Sequence, residues 1–119
     1  MNENVNNLDY EYMGYDLEEA RRALLDDEVP VGAVLVYQNE IISKGYNQKE
    51  KKKSPIAHAE MIVIEKSCEI LKRWRLTGCT LYVTLEPCCM CAGALSLARI
   101  DKVVFGRSEE RRVGKACRS

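Results

Sequence analysis

Residues 84–94 read TLEPCCMCAGA and residues 57–60 read AHAE, and these two stretches decide the fold and the chemistry that we expect of the chain. Together they place His58 upstream of a Pro-Cys-x-x-Cys segment whose thiols belong to Cys88 and Cys91. One imidazole and two thiolates leave the fourth corner of a tetrahedral zinc site open, which is typical of a catalytic site. We therefore predict that these three side chains bind one Zn²⁺ per subunit.

Glu60 follows His58 by two residues and is the candidate catalytic residue. A carboxylate there can reach a water at the open zinc position without binding the metal, and acid–base catalysis needs such a group. His58 is the only histidine of the chain. A lone histidine is more often a core or surface group, but the Pro-Cys-x-x-Cys segment favours the ligand role. The alternative is a closed structural zinc site with Cys89 or Cys79 as fourth ligand, although such a site has no need of Glu60.

His-x-Glu followed by Pro-Cys-x-x-Cys is the known signature of zinc nucleobase deaminases. Further blocks, spread from about residue 17 to residue 106, carry a more specific resemblance. They are VPVGAVLV at 29–36, GYN at 45–47, LYVTLEPCCMC at 81–91, AGA at 92–94 and VVFG at 103–106. On these blocks the chain resembles bacterial tRNA-specific adenosine deaminases, a group of zinc deaminases with a cytidine deaminase-like fold.

The resemblance implies an α/β fold, a three-layer α/β/α sandwich with a mixed sheet, here lacking the C-terminal strand and helices of the family. It implies zinc-dependent hydrolytic deamination of adenosine to inosine at the wobble position of a tRNA anticodon loop, by a cytoplasmic homodimer. It also implies that Asn47, with the backbone near Val31, contacts the substrate nucleotide. Deaminases of a free base or nucleotide, of the guanine or the cytidine/dCMP type, share the zinc residues and the fold, and they are the alternative.

The rest of the sequence predicts the elements around this site. Apolar spacing predicts a helix over residues 9–25, which the acidic residues 26–28 end in solvent. Residues 31–37 and 40–46 indicate paired strands, with Gly32 open to close approach by a ligand. The elements predicted after them are a helix over 58–72, a strand over 80–84, a helix with Pro87 in its first turn and a strand over 103–105.

Composition bounds the class of protein. The 119 residues suffice for one domain with one core, and 46% hydrophobic and 30% charged residues are typical of a soluble globular protein. The first residues lack the basic and apolar regions of a signal peptide, so we expect the six cysteines to be reduced in a cytoplasm. Residues 1–106 carry 13 basic and 16 acidic side chains. The body is therefore not a general nucleic-acid binder, and an RNA contact must be a local patch.

One local patch of positive charge is KEKKK at residues 49–53, which leads into the segment with His58. Its lysines would neutralise phosphates if RNA binds beside the site. A charge run of this kind is more usually a solvated loop, and both interpretations are open at this point.

The two ends of the chain are expected to lie outside the catalytic domain, residues 9–106. Residues 1–8 are rich in asparagine and are predicted to be disordered. Residues 107–119, RSEERRVGKACRS, depart from the family and closely resemble the translation of a short-read sequencing adapter, so we expect a non-native tail. A divergent active-site loop is the alternative. An incomplete domain would have an open sheet edge at residues 103–105 and little tRNA activity.

Overall fold

The chain folds as a mixed sheet between helices in the part that the computed structural model describes, residues 7–107 and 110–114. The helices are α1 (Asn7–Leu25), α2 (Lys49–Lys52), α3 (Ala59–Leu71) and α4 (Cys89–Leu97). The strands are β1 (Gly32–Tyr37), β2 (Glu40–Tyr46), β3 (Cys79–Val83), β4 (Lys102–Arg107) and β5 (Glu110–Gly114). None of the helices in these ranges is both long and apolar enough to span a lipid bilayer.

Strand β1 lies inside the sheet, between β2 and β3. Its sequence GAVLVY is apolar, and all but its last residue are buried, as predicted for a strand that is covered on both faces. It pairs antiparallel with β2 on one side and with β3 on the other, and β3 pairs parallel with β4. The sheet order is β2-β1-β3-β4-β5, and this mixture of pairings confirms the predicted fold class.

Helices cover both faces of the sheet, which makes three layers. Helix α1 packs over a cluster formed by Met13, Val34, Val36, Tyr82 and Val104. Helices α3 and α4 cover a larger cluster, which includes Leu35, Val63, Leu81, Leu95 and Val103. Successive strand residues point to opposite faces, so the neighbours Val34 and Leu35 belong to different clusters. The start of α3 and the start of α4 therefore lie on the same side of the sheet.

Gly32 serves the packing of α1 and not the approach of a ligand. A Cβ atom at Gly32 would overlap the carbonyl oxygen of Asp16 and the backbone nitrogen of Ala20, both in α1. The close approach that the sequence predicted for a ligand is thus made by a helix. Any larger residue at this position would push α1 away from the sheet.

The two ends differ from the sequence prediction. Helix α1 begins at Asn7, so residues 7 and 8 are helical, whereas residues 1–6 of the predicted disordered segment lie outside the described residues. Strand β5 pairs antiparallel with β4, so the open edge expected at residues 103–105 is not observed. A following extended segment stabilises that edge because it satisfies the backbone N–H and C=O groups of β4. Of the expected tail, residues 108–109 and 115–119 also lie outside the described residues.

Candidate metal centre

His58 lies at the N-terminal cap of α3 and not within the helix. Its backbone is extended, with φ −79° and ψ 154°, whereas the sequence predicted that the helix includes His58. A cap residue does not have helical φ and ψ angles. The rule that side chains at positions i and i+2 of a helix point apart therefore does not apply to the imidazole of His58. His58 and Glu60 can therefore serve one site from neighbouring positions.

Cys88 occupies the corresponding position at α4, and Cys91 lies in the first turn of that helix. The backbone of Cys88 is also extended, with φ −74° and ψ 175°, so Pro87 precedes the cap instead of opening the helix as predicted. Nδ1 of His58 lies 3.8 Å from Sγ of Cys88 and 3.5 Å from Sγ of Cys91. All three ligand atoms lie within 4.8 Å of one another, so the fold brings together the three residues predicted to bind zinc.

The spacing of these donor atoms fits a tetrahedral zinc ion. Zn–S bonds of about 2.3 Å and Zn–N bonds of about 2.0–2.1 Å place sulfur and nitrogen about 3.6 Å apart, close to the 3.5 and 3.8 Å observed. Among the residues that the structure describes, no fourth histidine, cysteine or carboxylate joins the group. Cys79 lies in the larger core cluster, and neither its thiol nor that of Cys89 belongs to the group of ligand atoms, so neither closes the site.

The electrostatics of the site favour a cation. Burial raises the pKa of the Cys91 thiol, and the neighbouring Glu60 and Cys88 raise it further. Without a cation this thiol keeps its proton, and metal binding must displace that proton. The positive N-terminal end of α4 assists, because it stabilises the thiolates that a metal needs.

Glu60 lies in the first turn of α3 and is 4% exposed. Burial raises the pKa of its carboxyl, against the lowering effects of a backbone hydrogen bond, a hydrogen bond with Cys91 and the nearby His58. The carboxyl therefore faces the ligand cluster, yet it is not one of the grouped ligand atoms. A buried carboxyl beside a metal cluster, but outside its ligand set, is suited to proton transfer.

Asn47 and Val31 lie together beside the start of α3. The backbone N–H of Asn47 donates to the carbonyl of Val31 at 3.1 Å. Oδ1 of Asn47 accepts the N–H of Ala59, the first residue of α3, at 2.8 Å. Asn47 thus holds the helix that carries Glu60, and this use of Oδ1 leaves the amide NH₂ to donate to a ligand. The Val31 carbonyl has a second lone pair for the same purpose.

Thr84 and Glu28 have contacts that the sequence did not predict. Oγ1 of Thr84 accepts the N–H of Gly32 at 3.2 Å, and the N–H of Thr84 donates to the Gly32 carbonyl at 3.1 Å. These bonds tie the segment that leads to Cys88 onto the start of β1. Glu28, expected in solvent, is 6% exposed and accepts hydrogen bonds from α2. No local pattern marks either contact, because the partners lie far apart in the sequence.

Comparisons with known proteins agree with this geometry. The family model of the cytidine and deoxycytidylate deaminase zinc-binding region matches residues 6–107. The tRNA-specific adenosine deaminase of Bacillus subtilis is 56% identical over 95 residues, which cover 80% of this chain and 59% of that protein. The tRNA-specific adenosine deaminase of Aquifex aeolicus is 52% identical over 98 residues, which cover 82% of this chain and 65% of that protein. The chain thus spans about three fifths of the length of these relatives.

Solved structures show the same fold. A structure from a study of A-to-I editing by tRNA:A34 deaminases at the wobble position of transfer RNA is 46% identical, with a TM-score of 0.79. That match covers 82% of this chain and 75% of the other. Guanine deaminase from Bacillus subtilis is 36% identical with a TM-score of 0.76, over 81% of this chain and 61% of the other. The fold is therefore shared by deaminases of different substrates.

Proposed function

The chain belongs to the family defined by the zinc-binding region of cytidine and deoxycytidylate deaminases, and we propose that it converts adenosine to inosine at the wobble position of tRNA. The observation that carries this proposal is the meeting of His58, Cys88 and Cys91 beside the buried carboxyl of Glu60. The choice of tRNA is supported by the 56% and 52% identity to proteins named tRNA-specific adenosine deaminases.

In this proposal the cofactor is one Zn²⁺ per subunit, held by His58, Cys88 and Cys91. One imidazole and two thiols are donors that zinc favours, and their distances of 3.5 and 3.8 Å suit one tetrahedral ion. When bound, zinc supplies an activated water at neutral pH, because it lowers the pKa of water to about 7.

Glu60 is the general acid and base of the proposed reaction. Its carboxylate takes a proton from the water that attacks C6 of adenine and delivers a proton to the ring nitrogen N1. A second transfer, to the amino group at C6, releases ammonia and leaves inosine. Its burial suits this role, because a carboxyl whose pKa is raised exchanges protons more readily near neutral pH.

Asn47 and the backbone of Val31 hold the nucleotide in this proposal. The amide NH₂ of Asn47 and the carbonyl of Val31 offer a donor and an acceptor next to the helix that carries Glu60. The partner is a tRNA anticodon loop, where an unstacked base is extruded at the smallest cost. Reduced thiols and a tRNA substrate both favour a cytoplasmic location.

The assembly in this proposal is a homodimer. Met90 and Leu97 lie two turns apart on one face of α4 and are 36% and 76% exposed. An exposed apolar stripe next to the metal centre is a surface that a second copy would cover. Light scattering coupled to gel filtration measures this directly, and a monomeric mass would refute the dimer.

The experiment that tests the proposed function is incubation of the zinc-loaded chain with total tRNA, followed by mass spectrometry of the nucleosides. We expect inosine, even at a low rate, and far less of it from Glu60→Gln. The alternative is deamination of a free base or nucleotide, which the 36% identity to a guanine deaminase supports. Free guanine, cytidine and dCMP are therefore assayed in parallel. Conversion of one of these without any inosine in tRNA would favour the alternative.

A further inference from the structure

The carboxylate of Glu28 replaces a missing cap at the start of α2. Its two oxygens accept the backbone N–H groups of Glu50 at 3.1 Å and of Lys51 at 2.8 Å, across 22 and 23 residues of sequence. The first turn of a helix has no internal acceptors for its N–H groups, and the N-cap residue Gln48 makes no side-chain capping bond. Glu28 is 6% exposed, so its carboxylate is largely shielded from water, although Glu50 and Lys51 are themselves exposed.

A second contact from the same acidic segment reaches α2. Asp26 accepts a hydrogen bond from the hydroxyl of Tyr46 at 2.7 Å and lies 3.9 Å from Nζ of Lys51. The ion pair is largely exposed and contributes little by itself. The hydrogen bond to Tyr46 fixes the acidic segment against β2. Glu28 is therefore anchored on the body of the fold when it holds α2.

Helix α2 belongs to the lysine loop, which we define as residues 48–57. The loop closes where the N–H of Gln48 donates to the carbonyl of Ala57 at 2.9 Å, next to His58. Lys51, Lys52 and Lys53 on this loop are exposed. The loop is thus a concentration of positive charge joined directly to the metal centre, in a body whose first 106 residues carry more acidic than basic side chains.

We propose that Glu28 is a positioning residue: it fixes the lysine loop so that its lysines meet the phosphates of the RNA substrate. This inference rests on the proposed function, because it takes the RNA from there. Like charges that lie close together repel one another, and a contact that holds the loop in one conformation opposes that repulsion. Glu28 supplies that contact through the backbone and does not occupy the lysine side chains, of which only Lys51 has a weak, exposed ion pair among the contacts described above.

The chemistry predicts where a defect at Glu28 would be measured. Phosphate contacts lie away from the reacting base and bind substrate and transition state alike. Their loss raises KM and leaves kcat little changed. Their loss also makes binding less sensitive to salt, by about 0.7–0.9 in the logarithmic slope for each phosphate contact. A residue that only stabilised the fold would not produce this pair of changes.

The experiment compares Glu28→Ala with Asp27→Asn, which removes an exposed negative charge from the adjacent residue. Hydrogen–deuterium exchange is measured at the amides of Glu50 and Lys51. Affinity for an anticodon-arm hairpin with a wobble adenosine is measured by fluorescence anisotropy at several salt concentrations. In Glu28→Ala we expect exchange at least about 10-fold faster, affinity about 3–10-fold weaker and a shallower salt slope. Asp27→Asn should match the wild type.

A second background tests whether Glu28 acts through the lysines. In a chain with Lys51, Lys52 and Lys53 all changed to Gln, Glu28→Ala should have no further effect on the affinity for the hairpin. An additive loss there would overturn the proposal, because Glu28 would then affect RNA binding by another route. Glu28→Asp should restore part of the lost affinity and protection, since it keeps the carboxylate.

The outcomes separate this inference from the proposed function. Absence of inosine with normal hairpin binding and the expected Glu28 effects would refute the proposed reaction but support the positioning role. Inosine formation with an unchanged KM in Glu28→Ala would refute the positioning role alone. Unchanged amide exchange, or no binding of the hairpin by the wild type, would also overturn it.

Discussion

The starts of α2 and α3 each hold a buried glutamate, but the two side chains have different surroundings. Glu28, 6% exposed, accepts two backbone N–H groups of α2. Glu60, 4% exposed, lies against the thiol of Cys91, where burial raises the pKa of its carboxyl. Similar burial thus accompanies a capping contact in one case and the proposed proton-transfer role in the other. The contacts of a buried carboxylate, more than its burial, indicate what it does.

The largest expected effect is on turnover. Glu60→Gln removes the carboxyl that we propose to transfer protons, so we expect kcat to fall by about 10²–10⁴-fold while the zinc content is retained. Glu65→Gln is the matched control, because Glu65 is exposed on the same helix. Inosine formation under single-turnover conditions measures the difference. Equal rates in the two variants would show that the carboxyl of Glu60 takes no part in the reaction.

The next effect concerns the thiol that Glu60 contacts. Cys91→Ala removes one of three predicted zinc ligands, so the purified protein should contain well below one zinc per chain by atomic emission. Cys79→Ala is the control, since Cys79 is equally buried but lies in the larger core cluster. It should keep its zinc and lose about 1–2 kcal/mol of stability through a small cavity. Full zinc occupancy in Cys91→Ala would exclude it as a ligand.

A smaller effect separates the two glutamates by the sign of a stability change. In Glu28→Gln one carboxylate oxygen becomes an NH₂ group that cannot accept a backbone N–H, so we expect about 1–2 kcal/mol lower free energy of unfolding. Glu60→Gln relieves the burial of a charge, so the metal-free protein should keep or gain stability. Urea unfolding of both variants after chelation measures this. A loss of stability in both variants would contradict the difference that we infer between Glu28 and Glu60.

The smallest effect comes from another buried carboxylate, that of Asp9 in α1. Tyr82 donates to Asp9 at 2.5 Å, and burial followed by this hydrogen bond raises the pKa of Tyr82 above its usual 10.0. Because the pKa of Tyr82 is raised in the folded state, its hydrogen bond contributes fully to the free energy of unfolding below about pH 10. That contribution is lost as the pH rises further. Between pH 8 and pH 11, the free energy of unfolding should therefore fall less in Tyr82→Phe than in the wild type.

The sequence predicted those parts of the site that depend on residue type and spacing. His58, Cys88 and Cys91 were found from their order, and their donor atoms lie within 4.8 Å of one another. The strands were predicted from apolar runs, and β1 is buried as expected. These features are readable because each is encoded within a few consecutive residues.

Other parts depend on contacts between distant residues and were not predictable in this way. Glu28 was expected in solvent because an acidic residue after a helix usually lies there, whereas its acceptors lie 22 and 23 residues further on. Gly32 was interpreted as room for a ligand, but α1 fills that room. The pairing of β5 with β4 joins neighbouring segments, and it was missed because residues 107–119 were interpreted as a non-native tail. A local sequence pattern indicates that a position is small or charged. Which residues contact that position is determined by the tertiary fold.

The proposed reaction requires that one imidazole and two thiols bind a zinc ion and leave one of its positions open beside Glu60. X-ray absorption spectroscopy of the zinc-loaded chain tests it most directly, because the zinc edge reports the number and kind of neighbouring atoms. We expect two sulfur neighbours and two nitrogen or oxygen neighbours, one of them exchangeable with solvent. Three or four sulfur neighbours, or the absence of an exchangeable one, would contradict it.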